Sequence, residues 1–172
     1  MVYDMANDTK FKNFLPFKYA VMYSLGISTG LRVSDLCKLK KEQVLNNNRP
    51  TITAQKTGKK KRIFISEKNS ELIKQLVSSD TSGSEYLFPS PSNPRLPISR
   101  QAVHKAFSIA SAKAGVTHSV GTHCMRKKYA KRTFKRTGND IIALKQAMQH
   151  NNLSDSALYL LSPKENKKND SK

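Results

Sequence analysis

Apolar residues in this chain recur mostly three or four positions apart, the spacing of amphipathic helices. Polar residues that favour helix starts, and glycines that favour helix ends, bound several of these segments. Ser66, Ser99 and Thr122 stand at predicted starts, and Gly115 and Gly138 stand at predicted ends. The pattern predicts helices over residues 14–27, 31–45, 66–79, 100–115, 123–138, 140–150 and 156–162.

Only one stretch has the composition of strands. The runs "RPTITAQ" and "KKRIFIS" are rich in β-branched residues and flank the segment "KTGKK". They predict a β-hairpin in which Gly58 supplies the turn. Residues 78–98 are rich in Ser, Pro and Gly and predict a connecting loop. The fold class is therefore mainly α with a small antiparallel β-sheet (α+β).

The length of 172 residues suits a single domain spanning 1–172. We expect an ordered core from about 11 to 161, after a loose lead-in over 1–10. The tail over 163–172 is charged and is expected to be disordered. For two helices the sequence allows two neighbouring residues as the start. These are Asn139 or Asp140 for the helix over 140–150, and Ser154 or Asp155 for the last helix.

The net charge of +19, from 31 Lys and Arg against 12 Asp and Glu, changes the picture most. Such an excess repels itself in a folded protein, so it indicates a polyanionic partner. DNA or RNA is the first interpretation, and an anionic membrane surface is the weaker one. No apolar stretch approaches the roughly 20 residues that span a bilayer, so no membrane partner is predicted.

Cys37 and Cys124 are the only cysteines, and neither has the spacing of a zinc site. Two isolated thiols are typical of a reducing compartment. The first ten residues lack the apolar segment of a signal peptide. These features together predict a cytoplasmic protein. No acidic cluster is present to hold magnesium, so neither a metal nor a cofactor is predicted.

Four segments carry candidate chemistry. The segment "TGLRVSDL" places Arg32 at the start of a helix, and "QKTGKKKRIF" places Lys56 in the hairpin. The segment "HCMR" places His123 and Arg126 three residues apart, which puts them on one helix face. The fourth segment, "HNNLSDSALY", ends in a tyrosine nine residues after its histidine.

In order, residue type and spacing, this set resembles the catalytic domain of the tyrosine recombinases, also called the phage-integrase family. The resemblance runs from about residue 14 to 161 and implies that family's fold. The chain differs from the family at Asp35, where the family more often has Glu. Family members usually carry an N-terminal DNA-binding domain, which we do not expect in this sequence, so the resemblance implies either an excised catalytic domain or an unusually minimal enzyme.

The resemblance implies a site-specific recombinase or integrase that needs neither metal nor ATP. Arg32 and Arg126 would clamp a DNA phosphate, because a guanidinium stays charged and binds two phosphate oxygens. Tyr159 would attack the phosphodiester to form a 3′-phosphotyrosyl intermediate, followed by strand exchange and rejoining. His123 is the candidate base or hydrogen-bond partner of the tyrosine, and His150 would support the phosphate.

By the same resemblance, Lys56 would protonate the leaving 5′-oxygen. On sequence alone, Lys59 and Lys60 are close rivals for that role. Asp35 is interpreted as a supporting residue that holds an arginine or a histidine. Seven of the eleven residues from 126 to 136 are basic, which predicts a surface along the DNA backbone. The predicted backbone contacts are Lys59, Lys60, Lys127, Lys131 and Lys135.

At the last predicted helix, one stripe contains Leu153, Ala157, Leu160 and Leu161, which predicts the buried face. Tyr159 points away from that stripe, as an attacking residue should.

Two other functions are compatible with parts of the pattern: a type IB topoisomerase, and a DNA-binding domain without catalysis. The chain length and the residues of the motifs favour the recombinase. Among recombinases, we expect a mobile-element integrase. The expected partners are double-stranded DNA and, by resemblance, other protomers in a tetrameric synapse. In isolation, we expect a monomer.

Overall fold

The computed structural model describes residues 5–116 and 122–160. Contacts within the chain separate two compact units, Met1–Tyr129 and Ala130–Lys172. The prediction of a mainly helical chain with one small sheet is confirmed. The elements are helices α1 Met5–Asn13, α2 Phe17–Thr29, α3 Val33–Cys37, α4 Lys41–Val44, α5 Glu67–Ser78, α6 Arg100–Lys113, α7 Thr122–Arg136, α8 Ile141–Met148 and α9 Leu153–Leu160, and strands β1 Thr51–Thr53 and β2 Lys60–Arg62.

The core of the first unit forms around α2. This helix buries most of its residues, including Tyr23, which is 0% exposed. The Tyr23 ring meets Phe11 and Phe107 edge to face, with centroids 5.1 and 5.9 Å away. Each such aromatic pair contributes about 1 kcal/mol beyond the area it buries. The three rings hold α1 and α6 against α2.

The hairpin forms where the sequence predicts it. Strands β1 and β2 are antiparallel, with Ile52 directly opposite Lys61. Opposed residues of an antiparallel pair point to the same face, and Ile52 is buried. Ile63 and Ile65, which continue the alternation beyond β2, are buried as well. The inward face of the hairpin therefore consists of isoleucines and one lysine.

Several predicted helix boundaries are confirmed. Ser66 and Ser99 accept hydrogen bonds from the backbone amides three residues on, at 3.4 and 3.1 Å. Asp140, not Asn139, caps α8, with its Oδ1 accepting from the next helical amides at 2.7 and 3.1 Å. Gly115 and Gly138 follow their helices with φ of 66° and 67°. The Thr122 side chain, predicted as a cap, lies outside the described residues.

Three local predictions are wrong. The supposed loose lead-in over 1–10 contains most of α1, which Phe11 anchors in the core. The predicted helix over 31–45 is two short helices, because the intervening backbone pairs elsewhere: the Leu87 amide donates to the Leu39 carbonyl at 2.8 Å. The last helix begins at Leu153, ahead of both predicted starts.

The predicted buried stripe of the last helix is also wrong. Leu161 lies outside the described residues. Leu153 and Ala157 of α9 are exposed, and Leu160 is half-buried, while Ser156 is 0% exposed. The reason is a polar contact, since the Ser156 hydroxyl lies 3.0 Å from Nδ1 of His150. Helix α9 packs on α8 within the second unit, and this hydrogen bond helps to fix its rotation. In the described ranges, no helix is long and apolar enough to cross a membrane.

Candidate functional site

The site of the first unit is built on the sharp turn between α2 and α3. Gly30 ends α2 in the left-handed conformation, with φ of 66° and its amide donating to the Gly26 carbonyl at 3.0 Å. Thr29 is tied down by its hydroxyl, which donates to the Leu25 carbonyl at 2.7 Å. Arg32 follows in extended conformation and starts α3. The last carbonyls of a helix carry partial negative charge, so this turn attracts cations.

Two cationic side chains from distant segments occupy consecutive carbonyls of this turn. The Lys61 Nζ donates to the Thr29 carbonyl at 2.9 Å. A guanidinium nitrogen of Arg126, which is 5% exposed, donates to the Gly30 carbonyl. Arg32 stands two residues further along the same turn and is half-buried. Strand β2, helix α7 and the α2–α3 turn thus deliver one cation each to one place.

The pKa of Lys61 is lowered to about 7. Burial of its ammonium is the largest cause, the charges of Arg126 and Arg32 act in the same direction, and Asp35 opposes them with a smaller effect. The Nζ atom also lies 4.8 Å from the centre of the Tyr129 ring. A ring face attracts a cation but does not replace its hydration. The cluster of Lys61, Arg126 and Arg32 therefore holds more positive charge than Asp35 balances.

Asp35 contacts the hairpin, whereas the sequence predicted that it would contact an arginine or a histidine. It is 3% exposed, and its Oδ1 accepts a hydrogen bond from the Gln55 backbone amide at 2.9 Å. The Gln55 side chain also accepts from the Lys38 Nζ at 2.7 Å. Both contacts hold the residue just before Lys56. Asp35 therefore fixes the position of the hairpin loop, and its supporting role in the site stays a prediction.

The hairpin loop itself projects into solvent. Lys56, Lys59 and Lys60 are all exposed, and Gly58 turns the chain with φ of 65°. The Ala54 carbonyl accepts from the Gly58 amide at 2.8 Å, which closes the loop. Lys56 therefore extends from a pinned base, and the distinction among the three exposed lysines stays a prediction.

Helix α7 presents its basic residues unevenly. Arg126 is buried, whereas His123, one turn earlier, is exposed. The helix face predicted to carry both residues therefore lies at the border of the core, where the arginine is buried and the histidine is exposed. In the same unit Lys127 is half-buried. In the second unit, Lys131 is half-buried and Lys135 is exposed.

The second unit carries the other two predicted residues. His150 follows α8 and Tyr159 lies near the end of α9, and both side chains are half-buried. Their ring centroids are 5.2 Å apart and the planes are tilted by 34°. Ser156, one turn before the tyrosine, contacts the same histidine through Nδ1. The imidazole thus contacts both a buried hydroxyl and the phenol ring.

Metal ligands are not grouped in the part of the chain that the structure describes. No set of three or more His, Cys, Asp or Glu side chains there could hold an ion. The clustered groups of the first unit are cations, which suits an anionic ligand.

Lys61 is the residue that the sequence motifs miss. It lies in a run of basic residues whose other members face solvent. The signal that could find it is the strand alternation, because Lys61, Ile63 and Ile65 occupy every second position. A lysine in register with buried isoleucines is an inward-facing lysine.

The described helices and the hairpin together form the fold of the tyrosine recombinase catalytic domains. The sequence model described as the Phage integrase family matches residues 3–165, and the chain belongs to that family. The resemblance drawn from the four motifs is therefore confirmed.

Two relatives illustrate the match. The probable integrase/recombinase YoeC of Bacillus subtilis is 32% identical over 139 residues, which cover 81% of this chain and 75% of YoeC. Tyrosine recombinase XerA of Pyrococcus furiosus is 32% identical over 133 residues, which cover 76% of this chain and 46% of XerA. The chain thus spans less than half of the XerA length.

Solved structures share the fold. The crystal structure of XerA recombinase matches with a TM-score of 0.78 at 20% identity, covering 95% of this chain and 61% of that one. The Tn1549 transposon integrase in complex with transposon right end DNA matches with a TM-score of 0.72 at 17% identity. That match covers 94% of this chain and 62% of the integrase.

One prediction concerns the turn that carries the site. A Cβ on Gly30 would lie 2.2 Å from Cδ1 of Tyr129, and the φ of 66° strains any L side chain. We expect Gly30→Ala to lower the free energy of unfolding by about 2–4 kcal/mol, the sum of both effects. Urea denaturation measures this change.

The matched control is Gly83→Ala, which has φ of 67° but nothing within 4 Å of the added carbon. It should lose only the conformational part, about 1–2 kcal/mol. Equal losses in the two variants would show that Tyr129 does not pack closely on the turn.

Proposed function

We propose that this chain is the catalytic domain of a site-specific DNA recombinase, which cleaves and rejoins DNA through a covalent tyrosine intermediate. The observation that carries the proposal is the pair of cations on consecutive carbonyls, Lys61 on Thr29 and Arg126 on Gly30, with Arg32 beside them. A pocket with this charge suits a phosphate.

The arginines supply the electrostatic part of the reaction. Attack on a phosphodiester builds negative charge on the non-bridging oxygens, and fixed donors lower that barrier. Arg126 is suited to this because its contact with Gly30 holds the guanidinium in place before substrate arrives. A preorganised donor costs no reorganisation during the reaction.

The nucleophile is Tyr159. A phenol is mostly protonated at neutral pH, so it needs a partner that accepts or shares its proton. His150, 5.2 Å away between ring centres, is held in place by Ser156 and supports the tyrosine or the phosphate. His123 is the candidate base, because its exposed position leaves it free to meet DNA and the attacking group.

Lys56 is proposed to protonate the leaving 5′-oxygen. Its loop is pinned at Gln55 by Asp35, so the lysine can move while its base stays fixed. Lys59, Lys60, Lys127, Lys131 and Lys135 are proposed to contact the DNA backbone. Such contacts position the enzyme without reading sequence.

The proposed partners are double-stranded DNA and further protomers. One structural neighbour is a lambda integrase dimer bound to a COC′ core site. By analogy, several copies of this domain would assemble on DNA and pass strands between them, while the isolated domain stays monomeric. We place this reaction in the cytoplasm, where DNA substrates are accessible.

The function is tested by trapping the covalent intermediate. Duplexes with a randomised core and a nick on one strand release the cleaved fragment, so the attached enzyme cannot reseal. The chain is incubated with this pool and quenched with detergent, and the peptide that carries a nucleotide is identified by mass spectrometry. A phosphotyrosyl adduct without added metal supports the proposal. Specific DNA binding without an adduct would favour a non-catalytic DNA-binding domain.

A separate prediction concerns Lys56. We expect Lys56→Ala to slow cleavage about a hundredfold while weakening binding only a few-fold, because general acids contribute roughly 10²–10⁴-fold. A substrate with sulfur in place of the leaving 5′-oxygen should restore the rate, since a thiolate leaves without a proton. Failure of the sulfur substrate to rescue would remove Lys56 from proton transfer.

A further inference from the structure

Lys61, the inward lysine of the hairpin, occupies a position in register with buried isoleucines. Its neighbours on the same face are Ile52, Ile63 and Ile65, and a fourth apolar side chain would suit the core better. Burying an ammonium is unfavourable unless its hydrogen bonds and charge are compensated. The Thr29 carbonyl takes one of its three N–H groups at 2.9 Å. Burial of this ammonium is thus unfavourable for folding, which indicates that the lysine is kept at this position for a functional reason.

The charges around Lys61 indicate what that reason is. Arg32 and Arg126 face it from the α2–α3 turn and from α7, and both oppose its protonation. Asp35, on α3, is the carboxylate that favours its charge, and it also accepts from Gln55. The Tyr129 ring closes one side, 4.8 Å from Nζ. An anion that entered beside the arginines would reverse this balance.

We propose that Lys61 is a third phosphate-binding residue of this pocket, which takes up a proton as the DNA phosphate enters. This inference rests on the proposed function, because it assumes that the pocket binds a phosphate. Lys61 keeps the Thr29 contact and directs its other N–H groups at the phosphate. The proton comes from solvent, so one proton is taken up and no covalent bond changes.

The physical advantage is that, without a bound anion, the pocket does not hold three fully charged cations close together. With Lys61 partly neutral, the arginines repel less, and the full charge is present only when an anion balances it. The pKa of Lys61, about 7 in the empty pocket, lies where a small perturbation changes its protonation. An opposite charge within a few ångströms raises the pKa of an ammonium by about 1–3 units.

The test uses inorganic sulfate as the probe and needs no DNA site. Lysine Cε resonances of ¹³C-labelled full chain are followed by NMR against pH, with and without sulfate. The Lys61 signal is assigned as the one missing in Lys61→Arg. The backbone amides of Leu31 and Arg32 report sulfate at the pocket independently. Lys74, exposed on α5, serves as the control lysine.

We expect Lys61 to titrate near pH 7 without sulfate and at least one unit higher with it. Sulfate affinity should then fall up to about tenfold per pH unit above pH 7, while Lys61→Met and Lys61→Arg bind with a flat pH profile. A lysine that only filled space would not give this profile. Lys74→Met should leave it unchanged.

Two results would overturn the inference, and they differ in scope. If the amides of Leu31 and Arg32 respond to sulfate but Lys61 does not change its titration, Lys61 is not a phosphate ligand and the arginine site stands. If sulfate moves none of these signals, the phosphate pocket itself fails, and the proposed function loses its main support. The wild-type titration decides both, even if Lys61→Met does not fold.

Discussion

Tyr159→Phe should abolish covalent attachment to DNA, with a loss of roughly 10⁴-fold or more in adduct formation. The substitution removes only the oxygen that is proposed to attack the phosphorus. The ring remains, so its packing 5.2 Å from His150 should persist. DNA affinity and thermal stability are expected to stay close to those of the wild type. Detergent-stable adducts on the nicked duplex pool measure the effect.

The controls are other tyrosines of the described chain. Tyr129→Phe keeps the ring beside Lys61 and should form adducts at a rate within a few-fold of wild type. Tyr23 is 0% exposed and its hydroxyl accepts from Lys128 at 2.6 Å, so it cannot meet DNA. If the adduct persists in Tyr159→Phe and disappears in Tyr129→Phe, the nucleophile has been misassigned. If it disappears in neither, neither of these two tyrosines is the nucleophile, and the peptide that carries the nucleotide identifies the residue that attacks.

Local sequence signals were sufficient for the turn that carries the site. The segment that ends in Arg32 combines a helix-ending Gly30 with a residue that starts the next helix. Those are short-range properties of the backbone, so they can be predicted from the local sequence. The hairpin is similar, because its β-branched runs and Gly58 lie within a few residues of each other.

Long-range contacts decided what the sequence could not. The predicted helix over 31–45 is interrupted because Lys40 pairs with Tyr86, some forty residues away. Helix α1 was missed because its apolar pattern is weak, and Phe11 becomes a core residue only through Tyr23 and Phe107. In both cases the partners that stabilise the conformation are remote in sequence.

Polar contacts inside the fold were the other source of error. Ser156 is buried because it hydrogen-bonds His150, which overrides the apolar stripe of α9. Asp35 binds a backbone amide of the hairpin loop, where a charged partner was expected. Lys61 is recognised only once the register of the hairpin is known, since a run of basic residues hides the one that faces inward.

Arg32→Ala should lower the cleavage rate by about 10²–10³-fold, the cost of removing one preorganised donor from a developing charge. DNA affinity at fixed salt should fall less than tenfold, because many other cations are proposed to contact the backbone. Arg32 is the better choice for this test than Arg126, whose contact with the Gly30 carbonyl also supports the turn. Single-turnover cleavage and equilibrium binding, measured at the same ionic strength, separate the two effects.

Arg49→Ala is the matched control, because it removes an exposed arginine that lies 5.6 Å from the Phe64 ring, outside the proposed pocket. It should change cleavage by no more than a few-fold. Lys135→Ala removes a proposed backbone contact and should weaken binding and its salt dependence while leaving the cleavage rate of the bound complex unchanged. If Arg32→Ala behaves like Lys135→Ala, with binding lost and cleavage intact, then Arg32 positions DNA and the charge of the transition state is stabilised by other groups. If it lowers cleavage alone, the turn between α2 and α3 is part of the catalytic machinery.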